Sequence, residues 1–239
     1  MFKLEMAAVG ILLVLASGAR AGEDAVAEGR TVYARYCVSC HGPRGDGDGY
    51  AARSLDPLPR NLMKGVYKWR STPSGEIPRD EDLLRTIANG VYGTAMPTWY
   101  ALSAGDRRAV LSYIKTFSPR FATETPSQPL VIPPQPAMTK DTIAAGRQTY
   151  ERMKCAQCHG EEGCGDGPAA TTLKDDSGRS IRAYNLTTGS LKSGNQPEDI
   201  YRVFMTGLNG TPMPSFAEIL KPEEAWQLVH YILSLRGAR

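Results

Sequence analysis

The feature that most constrains this 239-residue chain is an internal duplication, because the pattern Cys-x-x-Cys-His-Gly occurs twice. One copy occupies residues 37–42 and the other occupies residues 155–160, an offset of 118 positions (155 minus 37). The match extends downstream, where Gly-Thr-x-Met-Pro occurs at residues 93–97 and again at residues 210–214. A repeat of this length indicates two copies of one domain, and the chain is long enough for two domains of about 100 residues each.

Composition excludes several other kinds of protein. The chain is 41% hydrophobic and 22% charged, which is ordinary for a globular protein and excludes a disordered, collagen-like or multi-span membrane chain. The formal net charge of +3 is too small to suggest a nucleic-acid partner. Five cysteines are too few for a disulfide scaffold, so their pairing with scarce histidines in the repeat needs another explanation.

Residues 1–21 have the pattern of a signal peptide. Lys3 precedes an apolar run at residues 6–17, and Ala19-Arg20-Ala21 provides the small residues of a cleavage site. As a helix the apolar run would be about 18 Å long, which is too short for a retained membrane anchor. We therefore expect export to the periplasm, cleavage after about Ala21, and no transmembrane segment in the mature chain.

The remaining sequence divides into two helical copies and a proline-rich segment. We predict the first copy over residues 22–117, the proline-rich segment over residues 118–141 and the second copy over residues 142–239. Apolar spacing predicts an amphipathic helix at the end of each copy, so the expected fold class is all-α. Six prolines in residues 118–141 favour a semi-extended spacer, and a loop wrapped over one domain fits the sequence equally well.

The duplicated motif Cys-x-x-Cys-His is the attachment signature of haem c. Residues i and i+3 lie on one face of a helical turn, so both thiols can bond the vinyl groups of one porphyrin while the adjacent histidine binds the iron. The residues predicted for these roles are Cys37, Cys40 and His41 in the first copy and Cys155, Cys158 and His159 in the second.

Three other kinds of site use similar residues. A redox-active Cys-x-x-Cys follows a strand, and no strand is predicted before either motif. A structural zinc ion needs four ligands, whereas each copy offers two cysteines and one histidine. A disulfide within the motif would leave the repeated histidine unexplained. We therefore predict two covalently bound haem c groups.

The second axial ligand of each iron must come from outside the motif. Besides His41 and His159 the chain has only His230, so histidine cannot supply both remaining positions. Met96 and Met213 are equivalent in the two copies, and each precedes a proline, which favours an extended backbone at the methionine. Core packing is the ordinary role of a single methionine, but the repeated placement predicts that both are iron ligands.

Four other residues invite interpretation. Tyr67 and Trp69 either line the first haem crevice or belong to ordinary core packing. His230 is expected at the surface or in helix packing rather than at iron. Cys164 is the odd thiol left after four are used, and we expect it to be partly buried and inert, with a free surface thiol or an intermolecular disulfide as alternatives.

On these motifs the chain resembles the tandem dihaem cytochromes c of class I. The resemblance rests on both Cys-x-x-Cys-His motifs, both Met-Pro loops and the Tyr-Ile pair in each C-terminal helix, and residues 65–75 are similar to bacterial dihaem members. It implies two class I domains in which the terminal helices cross beside the haem. Gly29 and Gly146 would then be the points of close approach, with Tyr113 and Tyr231 as the packing aromatics.

The resemblance also implies electron transfer as the function. An iron with histidine and methionine at its axial positions has no open site for a substrate. This favours a periplasmic carrier, not an enzyme, that passes single electrons between redox proteins such as a membrane or periplasmic oxidoreductase and a terminal oxidase or reductase. One alternative is a fixed subunit of a larger oxidoreductase complex, for example one containing molybdenum. Another is a dihaem peroxidase or thiosulfate-oxidising enzyme, against which the two methionine ligands argue.

Overall fold

A computed structural model describes residues 22–236, and these residues form nine α-helices and one short 3-10 helix at Ala52–Ser54. The α-helices are α1 (residues 22–36), α2 (Val38–His41), α3 (Asp80–Asn89), α4 (Ala104–Lys115), α5 (Arg120–Thr123), α6 (Lys140–Arg152), α7 (Ala156–His159), α8 (Pro197–Thr206) and α9 (Pro222–Arg236). Within this range the only strand-like pairing is an isolated bridge between Lys174 and Ser180. The prediction of an all-α fold is therefore confirmed.

The same order of helices occurs in both copies, with α1 to α4 in the first and α6 to α9 in the second. Ser103 caps α4, because its hydroxyl accepts from the Asp106 backbone N–H at 3.0 Å and the Asp106 carboxylate accepts from the Ser103 N–H at 3.2 Å. Each such cap satisfies backbone donors that the first helical turn leaves unpaired. Among residues 22–236 no helix is both long and apolar enough to cross a membrane. The predicted signal peptide lies outside the described residues.

Close contacts divide the chain into two compact units. Among the described residues, unit 1 consists of residues 22–65 with Ile87–Asn89 and Thr98–Thr123, and unit 2 consists of Val66–Thr86, Gly90–Pro97 and residues 124–236. Part of the first sequence copy thus packs within unit 2. The copy bounds predicted above follow the repeat in the sequence, and they stay a prediction.

In unit 1, helices α1 and α4 cross at Gly29. A Cβ atom at this position would lie 1.9 Å from the carbonyl oxygen of Ala109 and 3.0 Å from the Cβ of Tyr113. One turn further on, Tyr33 is buried with its ring edge-on to Tyr113, at 5.3 Å between centroids. The close approach expected at Gly29 and the packing role of Tyr113 are confirmed.

In unit 2, helices α6 and α9 cross in the same way at Gly146. A Cβ atom there would lie 2.0 Å from the carbonyl oxygen of Gln227 and 2.9 Å from the Cβ of Tyr231. Tyr150 is buried and meets the Tyr231 ring edge-on at 5.2 Å. Each Cys-x-x-Cys-His motif begins within three residues of the end of the first helix of its crossing pair.

Residues 124–141 of the proline-rich segment pack within unit 2. The N–H of Leu130 donates to the Ser71 carbonyl at 2.7 Å, and the indole N–H of Trp226 donates to the Pro133 carbonyl at 3.2 Å. Indole N–H groups usually find such a partner when they are buried. Residues 124–141 therefore make the contacts of a loop wrapped over one domain, and the role of the segment as a spacer stays a prediction.

His230 of α9 is fully buried beneath this segment. Its Nδ1 lies 2.9 Å from the Thr142 hydroxyl, and its Nε2 lies 3.3 Å from the Gln135 side-chain amide. The surface alternative for His230 is therefore wrong and helix packing is correct. Burial lowers the pKa of His230 below its ordinary value of 6.5, since a charged imidazolium would lose its hydration there.

We expect His230→Gln to reduce the pH dependence of stability. In the native chain, the unfolded state takes up a proton at His230 that the folded state resists, so stability falls as the pH drops below 6.5 towards the lowered pKa. The loss amounts to up to about 1.4 kcal/mol per pH unit, and glutamine cannot contribute to it. Urea unfolding of both haem-loaded proteins between pH 7.5 and 5 measures the difference. Parallel stability curves would contradict a titrating role for His230.

Candidate haem-binding sites

Each Cys-x-x-Cys-His motif forms a single helical turn. In the second copy the N–H groups of Cys158 and His159 donate to the Cys155 carbonyl at 3.2 and 2.9 Å. The same pair of bonds, at the same distances, joins Cys40 and His41 to Cys37 in the first copy. The predicted i, i+3 placement of the two thiols is therefore present in both copies.

A backbone carbonyl orients each motif histidine. The Nδ1 of His159 lies 2.9 Å from the Tyr184 carbonyl, and the Nδ1 of His41 lies 3.1 Å from the Arg60 carbonyl. Because a carbonyl only accepts, each Nδ1 carries the proton and leaves the Nε2 lone pair for a metal ion. Burial lowers the pKa of both histidines, which keeps the imidazoles neutral and able to bind iron.

Sequence reasoning missed these two carbonyls. Each stands immediately before an Asn-Leu pair, at residues 61–62 and 185–186, and the leucine N–H of each pair donates back to a glycine carbonyl of the motif loop, at 2.6 and 2.7 Å. The repeated Asn-Leu pair was the available signal. Arg60 and Tyr184, which precede the two pairs, act through their main-chain carbonyls. Their side-chain types therefore carry no information about how the histidines are oriented.

A tyrosine from the preceding helix fixes the turn that follows each histidine. The hydroxyl of Tyr33 donates to the Gly42 carbonyl at 2.7 Å, and that of Tyr150 donates to the Gly160 carbonyl at 2.6 Å. Both glycines have positive φ angles, 77° and 81°, in the left-handed region that favours glycine. The first helix of each copy thereby sets the position of its motif.

The first thiol of each motif is uncharged at neutral pH before attachment. Burial raises the pKa of Cys37 and of Cys155 to about 11, because the thiolate form would lose its hydration. Cys164 is partly exposed, with its sulfur 4.0 Å from the Glu162 carbonyl, and it does not line the cavity described next. Cys155 and Cys158 do line that cavity, which separates these two thiols from Cys164.

A cavity of about 310 Å³ lies within unit 2. Cys155, Cys158, His159 and Met213 all line it. The rest of its wall is largely apolar and includes Leu186, Ile200, Phe204, Leu208, Phe216 and Ile232. The structure thus brings the four residues predicted for the second haem around one space, with two thiols, an imidazole and a thioether as its donors.

Met213 stands at the end of a tight loop after α8. The N–H of Leu208 donates to the Met213 carbonyl at 3.1 Å, and the Met213 N–H donates to the Thr211 hydroxyl at 3.2 Å. This threonine is part of the repeated Gly-Thr-x-Met-Pro pattern. The pattern therefore specifies a loop that presents a half-buried methionine, instead of a helix that packs one.

The first copy repeats the loop but distributes its predicted ligands between the two units. Cys37, Cys40 and His41 belong to unit 1, and Met96 belongs to unit 2. The Met96 N–H donates to the Thr94 hydroxyl at 3.1 Å, as in the second copy. Met96 as the sixth ligand of the first iron stays a prediction.

One pair of residues in the cavity wall comes from the other copy. Lys68 and Trp69 line the cavity of unit 2 beside the Met213 loop. Trp69 thus lines the cavity predicted for the second haem, and a place for it in the first haem crevice stays a prediction. The repeat could not indicate this placement, since it arises from contacts between residues more than 100 positions apart.

A family model for cytochrome c matches residues 26–118 and 143–236. The chain belongs to the cytochrome c family. The two matched segments confirm a tandem arrangement of two cytochrome c domains, and they imply two covalently bound haem c groups as the cofactors. The residues described above fit this group, because the predicted attachment pair Cys155 and Cys158 and the predicted axial ligands His159 and Met213 line one largely apolar cavity.

Two curated relatives of this cytochrome are cbb3-type cytochrome c oxidase subunits FixP. The protein of Azorhizobium caulinodans is 24% identical over 221 residues, covering 89% of this chain and 60% of the relative. That of Sinorhizobium medicae is 28% identical over 111 residues, covering 43% of this chain and 33% of the relative. This chain thus spans about one third to three fifths of the length of these relatives.

A solved structure is more similar. A chain of the Kuenenia stuttgartiensis reducing HAO-like protein complex Kustc0457/Kustc0458 is 47% identical, with a TM-score of 0.86. The match covers 87% of this cytochrome and 95% of the solved chain. The resemblance to tandem dihaem cytochromes c and the fold class predicted from the sequence are therefore both confirmed.

Proposed function

We propose that this cytochrome passes single electrons between redox proteins through two haem c groups, each held by histidine and methionine. The observation that carries the proposal is the convergence of Cys155, Cys158, His159 and Met213 on one apolar cavity. Haem c supplies one-electron chemistry at its iron when it is bound. The protein supplies the attachment, the axial donors and a dry environment.

The residues around the cavity have distinct tasks. Cys155 and Cys158 fasten the porphyrin, and the Tyr184 carbonyl holds the His159 ring so that its Nε2 remains available. The Met213 thioether favours the reduced iron and raises the potential relative to two histidines. With His159 and Met213 both bound to it, the iron would have no open position for a substrate, which supports a carrier rather than an enzyme.

The first site follows from the repeat. We propose Cys37 and Cys40 for attachment, with His41 and Met96 as its axial ligands. The orientation of His41 by the Arg60 carbonyl and the Met96 loop match the second copy bond for bond. We further propose export to the periplasm and cleavage after about Ala21, which N-terminal sequencing of the purified cytochrome tests directly.

Potentiometric titration of the purified protein with optical spectra tests the whole proposal. We expect two one-electron steps, low-spin haem in both oxidation states and a methionine-to-iron band in the oxidised form. A high-spin haem, or turnover of hydrogen peroxide, would instead support the peroxidase alternative. A single step with half the expected haem would contradict a dihaem carrier.

Attachment is tested by removing one pair of thiols at a time. We expect the double variant Cys155→Ala/Cys158→Ala to retain one of its two covalent haems, and Cys37→Ala/Cys40→Ala to retain the other. Each variant should lose half of the haem that stays with the denatured protein on a gel, because thioether bonds survive denaturation. Cys164→Ala is the matched control and should keep both haems. A double variant that keeps two would remove its thiols from the attachment set.

A fixed subunit of a larger complex is a second candidate, which a specific observation favours. The chain covers 95% of a solved chain from the reducing HAO-like protein complex at 47% identity. Native purification with mass spectrometry separates the candidates, since a subunit elutes with a stoichiometric redox partner and a free carrier elutes alone. The electron-transfer role is the same in both.

A further inference from the structure

The first copy contains extra residues in the segment that reaches the cavity of unit 2. Leu62 and Leu186 are equivalent, because each donates its N–H to the carbonyl of the first glycine after the motif turn. This glycine is Gly45 for Leu62 and Gly163 for Leu186. Nineteen positions separate Leu62 from Glu81, whereas twelve separate Leu186 from the repeated glutamate at position 198. The difference of seven residues falls in a stretch that packs in unit 2. We name residues 68–76 the strap.

Arg70 anchors the strap to the end of α8. Its side chain is fully buried, and its guanidinium donates to the carbonyls of Thr206 at 2.5 Å and Gly207 at 3.4 Å. The last carbonyls of a helix have no partner within the helix and carry its partial negative charge. A buried cation placed on them satisfies both the acceptors and the charge.

Asn209 provides a second attachment, three residues beyond α8. Its side-chain oxygen accepts from the Gly75 N–H at 3.1 Å and from the Ser74 hydroxyl at 3.4 Å. Its side-chain amide donates to the Glu76 carbonyl at 3.4 Å. One asparagine therefore makes hydrogen bonds to three consecutive residues of the strap, Ser74, Gly75 and Glu76.

The strap is also held firmly from its own side. The carboxylate of Asp82, at the start of α3, accepts from the Ser71 N–H at 2.8 Å and from the Ser71 hydroxyl at 2.9 Å. The buried Thr72 hydroxyl donates to the Ile77 carbonyl at 2.9 Å. These bonds preorganise the strap, so its contacts can restrain what it touches.

Both attachments fall on the loop that carries Met213. Gly207 and Asn209 lie between α8 and the methionine, and the Leu208 N–H between them donates to the Met213 carbonyl. Beside these attachments, Trp69 lines the cavity. The strap thus holds the ligand loop at two points and supplies part of the cavity wall.

We propose that the strap, which belongs to the first sequence copy, positions Met213 and closes the second haem cavity. This inference rests on the proposed function, in which Met213 is an iron ligand. Asn209 and Arg70 act as positioning residues, because they restrain the loop without touching the iron. Trp69 acts by excluding water, whose access stabilises the charged oxidised haem and lowers its potential. The potential of the second haem is therefore set partly by residues of the first copy.

Asn209→Ala and Trp69→Ala test this in the full-length haem-loaded protein. Asn209→Ala should weaken the binding of Met213 to the iron about tenfold. On heating, the methionine-to-iron band of one haem should therefore be lost at a lower temperature than in the native protein. Trp69→Ala should shift the one-electron equilibrium of the same haem about tenfold towards the oxidised form, which is a fall in its reduction potential of about 59 mV. Trp69→Phe, which keeps an apolar ring, should restore most of the potential. If Trp69→Ala acted only by disturbing the fold, Trp69→Phe would not restore the potential of this one haem selectively.

The matched controls lie at corresponding places in the first copy. Tyr92 occupies the position equivalent to Asn209 (209 minus 117) and is 60% exposed, so Tyr92→Ala should leave the second haem unchanged. Met213→Ala identifies which potential and which half of the band belong to that haem. Arg70→Met removes the buried cation and is the harshest variant. The test does not depend on its folding, because Asn209→Ala and Trp69→Ala leave the Arg70 anchor in place.

The outcomes separate the two proposals. If Met213→Ala shifts one haem while Asn209→Ala and Trp69→Ala titrate as the native protein, the strap has no positioning role and the proposed function stands. If Met213→Ala itself changes neither spectrum nor potential, the ligand assignment fails and the strap proposal fails with it. A shift confined to the other haem would also overturn the strap proposal.

Discussion

Replacing Met213 by alanine should lower the reduction potential of one haem by at least about 100 mV and leave that of the other haem nearly unchanged. This fall is a modest part of the range of about 0.8 V over which axial ligands set haem potentials. The thioether binds the reduced iron in preference to the oxidised iron, so its loss favours oxidation. Half of the methionine-to-iron band should disappear at the same time. Redox titration followed at several wavelengths measures both effects.

Met96→Ala is the matched experiment for the first copy. It should shift the potential that Met213→Ala leaves in place, and the double variant should lose the whole band. Because Met96 and Met213 stand in loops with the same threonine contact, the two changes remove equivalent groups. A Met213→Ala protein with an unchanged spectrum would remove Met213 from the ligand set.

Gly146→Ala should reduce the free energy of unfolding by about 3 kcal/mol, at the upper end of the usual cost of overpacking a core. The added Cβ would lie 2.0 Å from the Gln227 carbonyl oxygen and 2.6 Å from its carbon. Both are backbone atoms of α9, so neither can turn aside as a side chain would. Helices α6 and α9 must separate, and the motif that follows α6 must move with them.

Urea unfolding of the haem-loaded variant, together with its haem content, measures this effect. Gly105→Ala is the control, since it makes the same change in α4 where the nearest atom, the Ser103 hydroxyl oxygen, would be 3.4 Å away. Alanine is the better helix former by about 1 kcal/mol, so this control should be slightly more stable than the native chain. If Gly146→Ala were equally stable, the crossing would not be as close as the structure has it.

Much of each haem site could be predicted from the sequence because its determinants are local. The thiols and histidine of a motif lie within one helical turn, and the methionine loop is specified by five consecutive residues that occur twice. Gly146 was expected at a helix crossing from the family resemblance, and the structure places it there. Repetition made these predictions possible, since a single methionine would have been assigned to the core.

The remaining contacts could not be predicted because they join residues far apart in the chain. Arg70 and Thr206 are separated by 136 positions, and no periodicity relates them. The place of Trp69 in the wall of the second cavity could not be predicted either, because a repeat assigns each residue to its own copy. His230 was placed correctly in helix packing only as one of two alternatives, because burial of a polar ring depends on partners such as Gln135 and Thr142.

The strap has a consequence for how such a protein can be divided or recombined. A cut within the proline-rich segment yields two pieces that look complete in sequence, each with its own attachment motif and methionine loop. The downstream piece would nevertheless lack the tryptophan of its cavity wall and the arginine at the end of α8. The unit that evolution duplicated and the unit that completes a working haem pocket are therefore different stretches of chain.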